Sequence, residues 1–253
     1  MLRRTTILAI ALLAFTIACT VQAQDVPPLL SPTHYYIFSL GEMTVDATAV
    51  AGTTQSAGFS VVRFVDDEPD GDLAAALSAP KFLLFDGDRI YLRQTSDSYT
   101  YTMRPSATGY ELVVNPAEDL TLTDTLGSIL LDLQTIGVVG SEVNLEYTAY
   151  SKADLKGPSA PEGVPLESTL YGLMVGEDWF AYASGHGLTL VGLRVEVVAE
   201  KLPGAALEST FSVYVTEETE SLAKLSLPIE HLIALADSAS VGYVRTAYQP
   251  AVP

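Results

Sequence analysis

Residues 81–93 have the sequence Lys-Phe-Leu-Leu-Phe-Asp-Gly-Asp-Arg-Ile-Tyr-Leu-Arg, and this stretch decides the fold class. Two apolar segments, 81–85 and 89–93, flank the turn sequence Asp86-Gly87-Asp88. A glycine after an aspartate supplies the positive φ angles that a tight hairpin turn requires. The stretch therefore predicts an antiparallel β-hairpin, and the neighbouring sequence extends it into a sheet.

Alternation of apolar and polar residues predicts further strands on both sides of this hairpin. The strand candidates are residues 59–65, 99–103, 110–114, 143–149 and 187–200. In the longest of them, Leu193, Val195 and Val197 fall on one face and charged residues on the other. Such alternation is typical of an antiparallel sheet with one packed face and one face in water.

The sequence predicts few helices. Apolar residues spaced by three and four positions predict a helix over 126–133, capped by Asp124 and ended by Gly137. A second helix is predicted over 228–237, and residues 72–78 add one short helical turn. The fold class is therefore mainly β, an antiparallel sandwich or an open, barrel-like sheet with one or two peripheral helices.

Proline and glycine mark the boundaries along the chain. Residues 24–33 contain three prolines and are predicted to form an extended lead-in. We expect a single β-rich domain over 34–253. The alternative is two units that are split at the proline- and glycine-rich segment 151–165.

The first 23 residues resemble a secretory signal peptide. A basic start at Arg3 and Arg4 precedes an apolar run that is too short to span a bilayer, and Val21-Gln22-Ala23 offers a cleavage site. The favoured prediction is a cleaved signal, residues 1–23, and no transmembrane segment after processing. The alternative is lipidation of Cys19, because Thr16-Ile17-Ala18-Cys19 resembles a bacterial lipobox.

The composition restricts the location and the partners. The chain has 31 acidic against 13 basic residues and a net charge of −18, which repels nucleic acid and anionic lipid. Cleavage after Ala23 leaves a mature chain without cysteine, which suits a bacterial periplasmic or secreted protein better than a disulfide scaffold. Tethering to a membrane through Cys19 is the corresponding alternative.

Residues 66–72, Asp-Asp-Glu-Pro-Asp-Gly-Asp, form the strongest acidic cluster. Carboxylates at every second position, on Asp66, Glu68, Asp70 and Asp72, outline the first half of a calcium loop. The position where such a loop needs its bidentate acid holds Leu77. A solvated acidic turn is therefore the favoured interpretation, and calcium is the only cofactor for which the sequence offers a candidate.

Tyrosines on adjacent predicted strands provide a candidate binding surface. Tyr91, Tyr99 and Tyr101 fall in the predicted meander and could form a flat platform for a sugar or a peptide. Tyrosine is also a good strand former, and the favoured interpretation is that these rings stabilise the sheet.

Catalytic signatures are sparse. His186 lies between two glycines, in a predicted loop between a strand ending near Ala183 and one starting at Leu188, where it could act as a general base with Asp178. The sequence contains no Gly-x-Ser-x-Gly, Gly-x-Gly-x-x-Gly or Walker A motif. The chain is not identified as an enzyme.

Three functional hypotheses follow. The favoured one is an exported, non-catalytic cell-envelope protein that binds a protein, a glycan or a surface or has a structural role, with or without a cation. The second is a periplasmic carrier that holds an apolar ligand in a curved sheet. The third is a hydrolase that uses His186.

Overall fold

The computed structural model describes residues 29–41, 44–46, 48–50, 52, 57–139, 146–153 and 159–247. The predicted signal peptide, residues 1–23 with Cys19, lies outside these ranges, so its presence, its cleavage and the lipidation of Cys19 stay predictions.

Seventeen strands are present in the described ranges. They are β1 (Leu29–Leu30), β2 (His34–Ser39), β3 (Thr44–Val45), β4 (Ser60–Val65), β5 (Glu68–Asp70), β6 (Lys81–Asp86), β7 (Arg89–Thr95), β8 (Tyr99–Ser106), β9 (Gly109–Pro116), β10 (Leu120–Thr121), β11 (Val138–Val139), β12 (Glu146–Ser151), β13 (Leu190–Val191), β14 (Arg194–Lys201), β15 (Val215–Glu218), β16 (Leu222–Pro228) and β17 (Val241–Thr246).

Fewer helices than strands have bounds within the described ranges. They are α1 (Leu73–Ser78), α2 (Leu122–Thr135), α3 (Ser168–Val175), α4 (Trp179–His186), α5 (Ser209–Ser212) and α6 (Leu232–Ala236), with a 3₁₀ turn at Ile229–His231. The prediction of a mainly β, largely antiparallel fold is confirmed, and the sheets within the described ranges do not close into a barrel.

An eight-stranded sheet forms the middle layer, in the order β12-β2-β9-β8-β7-β6-β4-β5. We call it the large sheet. All its pairs are antiparallel except β4 with β6. A second sheet, the small sheet, is built on β13, β14, β16 and β15, with β17 paired to β14. Two short pairs, β1 with β10 and β3 with β11, lie outside these two sheets.

Both faces of the large sheet are covered. On one face, Leu83 and Leu92 belong to an apolar cluster that also contains Ile129 and Leu133 of α2. The opposite face contributes Phe82, Leu84 and Tyr91 to a cluster with α3, α4 and the inner face of the small sheet. The unbroken apolar run at 82–85 follows from this arrangement, because a strand covered on both sides needs apolar residues at every position. This second cluster contains residues from both sides of segment 151–165. The division of the chain into one domain or two stays a prediction.

The central hairpin is confirmed, with one difference at its turn. Asp86 pairs with Arg89, so the two loop residues are Gly87 and Asp88, and Gly87 carries the positive φ of 65°. The turn therefore needs glycine at its first loop position, where a side chain would be strained.

Three further predictions changed at their boundaries. The helix predicted over 126–133 is confirmed but begins earlier, because Thr121 accepts a hydrogen bond from the Asp124 backbone N–H at 3.2 Å and caps it. The strand predicted over 187–200 is broken at Gly192, whose φ of 59° reverses the chain between β13 and β14. Within the extended lead-in predicted over 24–33, Leu29–Leu30 forms a strand that pairs with β10 and buries Leu30.

Candidate functional site

A cavity of about 500 Å³ opens where the edge of the large sheet meets the turn between α3 and α4. We call it the tyrosine cleft. Its lining residues are Tyr35, Tyr150, Ser151, Lys152, Gly172, Gly176, Glu177, Asp178, Ala181 and Tyr182. Its volume falls within the range of roughly 300–1,000 Å³ that is usual for small-molecule sites.

Two strands place an aromatic pair on one wall of the cleft. Antiparallel pairing of β2 with β12 sets Tyr35 directly opposite Tyr150. Their rings stack with centroids 5.1 Å apart and an interplanar angle of 11°. Each ring covers one face of the other, so the outer ring surfaces of this half-buried pair are available to a ligand.

A third tyrosine reaches the cleft from α4. The Tyr182 ring stacks on His186, one helical turn later, at a centroid distance of 3.9 Å. Its hydroxyl end lies against Gly172 of α3, where a β-carbon would overlap it. Absence of a side chain at position 172 therefore allows Tyr182 to lie between the two helices.

Asp178 anchors the turn that closes the cleft. One carboxylate oxygen, Oδ1, accepts hydrogen bonds from the backbone N–H groups of Phe180 and Ala181 at 3.0 and 3.1 Å and so caps α4. The same oxygen accepts from the Tyr91 hydroxyl at 3.1 Å, and Oδ2 pairs with Arg93 at 2.5 Å. Helix α4 is thereby tied to the middle of the large sheet.

Arg104 provides a second tie between the sheet and this turn. Its side chain is only 1% exposed. The guanidinium donates to the Glu111 carboxylate at 2.9 and 3.1 Å and to the backbone carbonyl of Gly176, and it lies 5.3 Å from the Trp179 ring centroid. A planar group with several donors suits these simultaneous contacts.

Glu177 differs electrostatically from its neighbour in the turn. Burial raises its pKa, Asp178 raises it further, and the nearby Lys152 ammonium opposes both effects. Within the described residues, the Glu177 carboxylate forms no hydrogen bond or ion pair. Burial, helped by Glu177, also raises the pKa of Tyr35. The cleft therefore contains one carboxylate that is available to a ligand.

A smaller cavity of about 260 Å³ adjoins the cleft at Glu177 and Asp178. Strands β7, β8 and β9 supply its remaining lining, which is mostly polar: Arg93, Thr95, Thr100, Thr102, Val113 and Asn115. Hydroxyl groups can donate and accept, so this pocket extends the polar character of the site.

The tyrosines singled out from the sequence do not form a platform. Tyr91 and Tyr101 are both fully buried, and they lie on opposite faces of the large sheet, in different apolar clusters. Tyr99 stacks on Tyr101 at 6.3 Å and donates a hydrogen bond to Ser128. Side chains two positions apart share a face, but Tyr91 belongs to a strand whose register places it on the other side.

The acidic cluster at 66–72 is spread over a turn, a strand and a helix cap. Asp66 lies in the β4–β5 turn, Glu68 and Asp70 lie on β5, and Asp72 accepts a hydrogen bond from the Ala75 N–H at the start of α1. In the ranges that the structure describes, no three His, Cys, Asp or Glu side chains are grouped so that they could hold a metal ion. Calcium binding stays a prediction, to which this geometry adds no support.

The loop predicted around His186 is helical, and this prediction is wrong. His186 is the last residue of α4, and its Nδ1 lies 2.8 Å from the Tyr182 carbonyl oxygen. Asp178 is the cap at the opposite end of the same helix, about 12 Å away at 1.5 Å per residue. The structure does not bring the two residues together as a catalytic pair.

Part of the cleft lining was missed because a strand was predicted to end near Ala183, where the structure has helix α4. Residues 168–186 form α3 and α4, and Gly172 and Gly176 lie four positions apart, a spacing that permits close helix packing. Asp178, followed by a buried Trp179, is a helix-start signal that could have located α4.

The structure is thus that of a mainly β protein. A cleft lined by aromatic and polar residues lies at the edge of its large sheet, both faces of which are covered. No family model, curated protein or solved structure matches the chain in comparisons with known proteins. None of the helices in the described part of the chain combines the length and the apolar character needed to cross a membrane.

Proposed function

We propose that the chain is an exported, non-catalytic binding protein of the bacterial cell envelope, and that its ligand occupies the tyrosine cleft. The observation that carries the proposal is a cavity of about 500 Å³ whose wall combines the Tyr35–Tyr150 stack with the unpaired Glu177 carboxylate. Aromatic surface with a few convergent polar groups is the usual composition of a small-molecule site. Export rests on residues 1–23.

The contacts that Asp178 and His186 already make favour binding over catalysis. Both oxygens of Asp178 are occupied by a helix cap, an arginine and a tyrosine, so this carboxylate supports the turn. The His186 ring is stacked on Tyr182. Neither group is placed as a free general base beside Glu177.

The carrier hypothesis differs in the ligand that it requires. An apolar ligand needs an apolar chamber, whereas Lys152, Glu177 and Asp178 bring charged groups to the cleft. The site therefore supports a polar ligand, and a fatty or terpenoid ligand would contradict the proposal.

Two measurements test the proposal. The first is the mass of the protein, expressed in a bacterial host with its own residues 1–23, which is expected to match residues 24–253. A mass that corresponds to a lipidated chain starting at Cys19 would show that the protein is tethered to a membrane instead of being cleaved after Ala23.

The second is a fragment screen observed through the amide resonances of the protein, in which binding fragments are expected to shift the resonances of cleft residues. The Tyr150→Ala variant should lose these shifts.

The matched control is Tyr243→Ala, because Tyr243 is 37% exposed on the small sheet, away from the cleft. It should retain every fragment response. A screen whose binders all shift residues elsewhere, or whose cleft responses survive in Tyr150→Ala, would overturn the assignment of the site.

A further inference from the structure

The charges that line the tyrosine cleft balance one another. Asp178 is paired with Arg93, and Lys152 offsets the charge of Glu177. This local neutrality contrasts with the net charge of −18 for the whole chain. An anionic ligand would be repelled by the protein as a whole, and a cationic ligand would meet Lys152 in the same cleft. The charge balance favours a neutral ligand.

The polar groups around the cleft include both donors and acceptors. Lys152 donates one hydrogen bond, from Nζ to the Pro116 carbonyl at 3.3 Å, and its ammonium has further hydrogens to donate. Glu177 accepts, Ser151 can do either, and the adjoining pocket adds the hydroxyls of three threonines. A ligand with many hydroxyl groups can satisfy such a mixed set, since each hydroxyl both donates and accepts.

The aromatic wall adds the remaining requirement. The outer surfaces of the Tyr35–Tyr150 pair are flat and apolar, with phenolic hydroxyls at their rims. A suitable ligand must therefore present an apolar face as well as hydroxyls. A sugar ring has this combination, because its C–H groups lie on the faces and its hydroxyls on the edge.

We propose, on the basis of the binding function proposed above, that the ligand of the tyrosine cleft is a neutral saccharide. Its ring packs against the Tyr35–Tyr150 pair, and its hydroxyls bind Glu177 and Lys152. Glu177 and Lys152 then determine which hydroxyl arrangement is accepted, because they line the cleft together with the aromatic wall.

The test compares three classes of probe by calorimetry and by amide shifts. The neutral panel consists of hexoses, N-acetylhexosamines and their α- and β-linked dimers; glucuronate represents anions and choline represents organic cations. We expect a neutral sugar to shift cleft residues, with an affinity that changes little between about 0.05 and 0.5 M salt, because no ion pair is formed with the ligand.

Variants sharpen this test. Tyr150→Ala should weaken sugar binding roughly three- to ten-fold, the loss of one aromatic contact. Glu177→Gln should weaken it by about five-fold, because the amide oxygen remains a hydrogen-bond acceptor but lacks the charge. Tyr243→Ala should leave the affinity unchanged.

The outcomes separate the ligand class from the binding function. Choline or glucuronate binding in the cleft, with no response to the neutral panel, would overturn the saccharide and leave the binding function in place. Fragments that bind the cleft while no sugar does would have the same meaning. Absence of every cleft response, from sugars and fragments alike, would overturn both proposals.

Discussion

Tyr35 and Tyr150 face each other across strands β2 and β12, with ring centroids 5.1 Å apart and planes 11° from parallel. Strand β12 is the outermost strand of the large sheet on this side. The same two rings therefore hold an edge strand and form a wall of the cleft. We expect substitutions here to change both stability and the proposed binding, and the two effects can be separated.

The stacked pair should stabilise the sheet edge. Tyr150→Ala is expected to lower the free energy of unfolding by about 1 kcal/mol, the size of a cross-strand aromatic interaction. Thr148→Ala on the same strand is the control, since Thr148 is exposed and lies opposite Ile37. Urea unfolding of both variants measures the difference. Equal midpoints for the two would show that the stack contributes nothing to the edge.

Asp178 combines a helix cap with an ion pair, and two variants separate these roles. Asparagine caps helices as well as aspartate, so Asp178→Asn should lose only the charge opposite Arg93, at a cost of about 1–3 kcal/mol. Asp178→Ala removes the cap as well and should cost about 1 kcal/mol more. Denaturant midpoints give both values. If alanine and asparagine were equivalent, the cap would have no energetic role.

The sheet was predictable because its signals are local. The turn at Gly87, the alternation in Leu193, Val195 and Val197, and the period of α2 each follow from residues close together in sequence. The strand predicted to end near Ala183 is helix α4 in the structure. Trp179 and Ala183 are buried one turn apart, but the residues between them, 180–182, are apolar as well. The sequence therefore does not show which face of this helix is buried.

The site could not be predicted because it depends on register and on long-range packing. Tyr35 and Tyr150 are far apart in sequence, and only the pairing of β2 with β12 brings them together. Tyr91 and Tyr101 are on neighbouring strands, yet the register places them on opposite faces. Which tyrosines meet is thus a property of strand order, which the sequence pattern does not contain.

Arg104 should be intolerant of lysine. The guanidinium contacts Glu111, the Gly176 carbonyl and the Trp179 ring at once, and an ammonium group cannot reproduce this planar set. Arg104→Lys is expected to lower the free energy of unfolding by about 1–3 kcal/mol. The control is Arg245→Lys, because the Arg245 side chain is 35% exposed and pairs with Glu200 near the surface. This variant should change the free energy of unfolding by less than about 0.5 kcal/mol. Similar losses in both variants would argue against a special role for Arg104.

Glu177 should make the protein less stable as the pH rises. Burial raises its pKa, so the folded protein holds this proton more tightly than the unfolded chain does. The contribution of Glu177 to the free energy of unfolding is fully present below the ordinary glutamate pKa. It is lost as the pH rises through the raised pKa that Glu177 has in the folded protein. The Glu177→Gln variant lacks this loss. The difference in free energy of unfolding between this variant and the natural chain should therefore grow in favour of the variant as the pH rises above the ordinary glutamate pKa.

Urea midpoints of the two chains, compared at several pH values, measure this advantage. Glu118→Gln, at an exposed turn residue, controls for the removal of one negative charge from an acidic protein. An advantage of Glu177→Gln that stays constant with pH, or that matches the Glu118→Gln control at every pH, would contradict a burial effect at Glu177.

Gly172 should tolerate no side chain, although it lies in a helix. Alanine normally stabilises a helix interior by about 1 kcal/mol relative to glycine. At position 172, however, a β-carbon would overlap the Tyr182 hydroxyl, so the ring must move away from α3. We expect Gly172→Ala to lower the free energy of unfolding by about 1–3 kcal/mol and to reduce ligand binding, because Tyr182 lines the cleft.

Gly127 in α2 supplies the matched comparison for this substitution. A β-carbon there meets no atom within 4 Å, so Gly127→Ala should raise the free energy of unfolding by about 0.5–1 kcal/mol and leave the cleft unchanged. If Gly172→Ala lowers the free energy of unfolding and Gly127→Ala raises it, the loss at position 172 comes from the contact with Tyr182. Stabilisation by both variants would show that Tyr182 moves aside without cost and that α3 and α4 do not depend on close approach at Gly172.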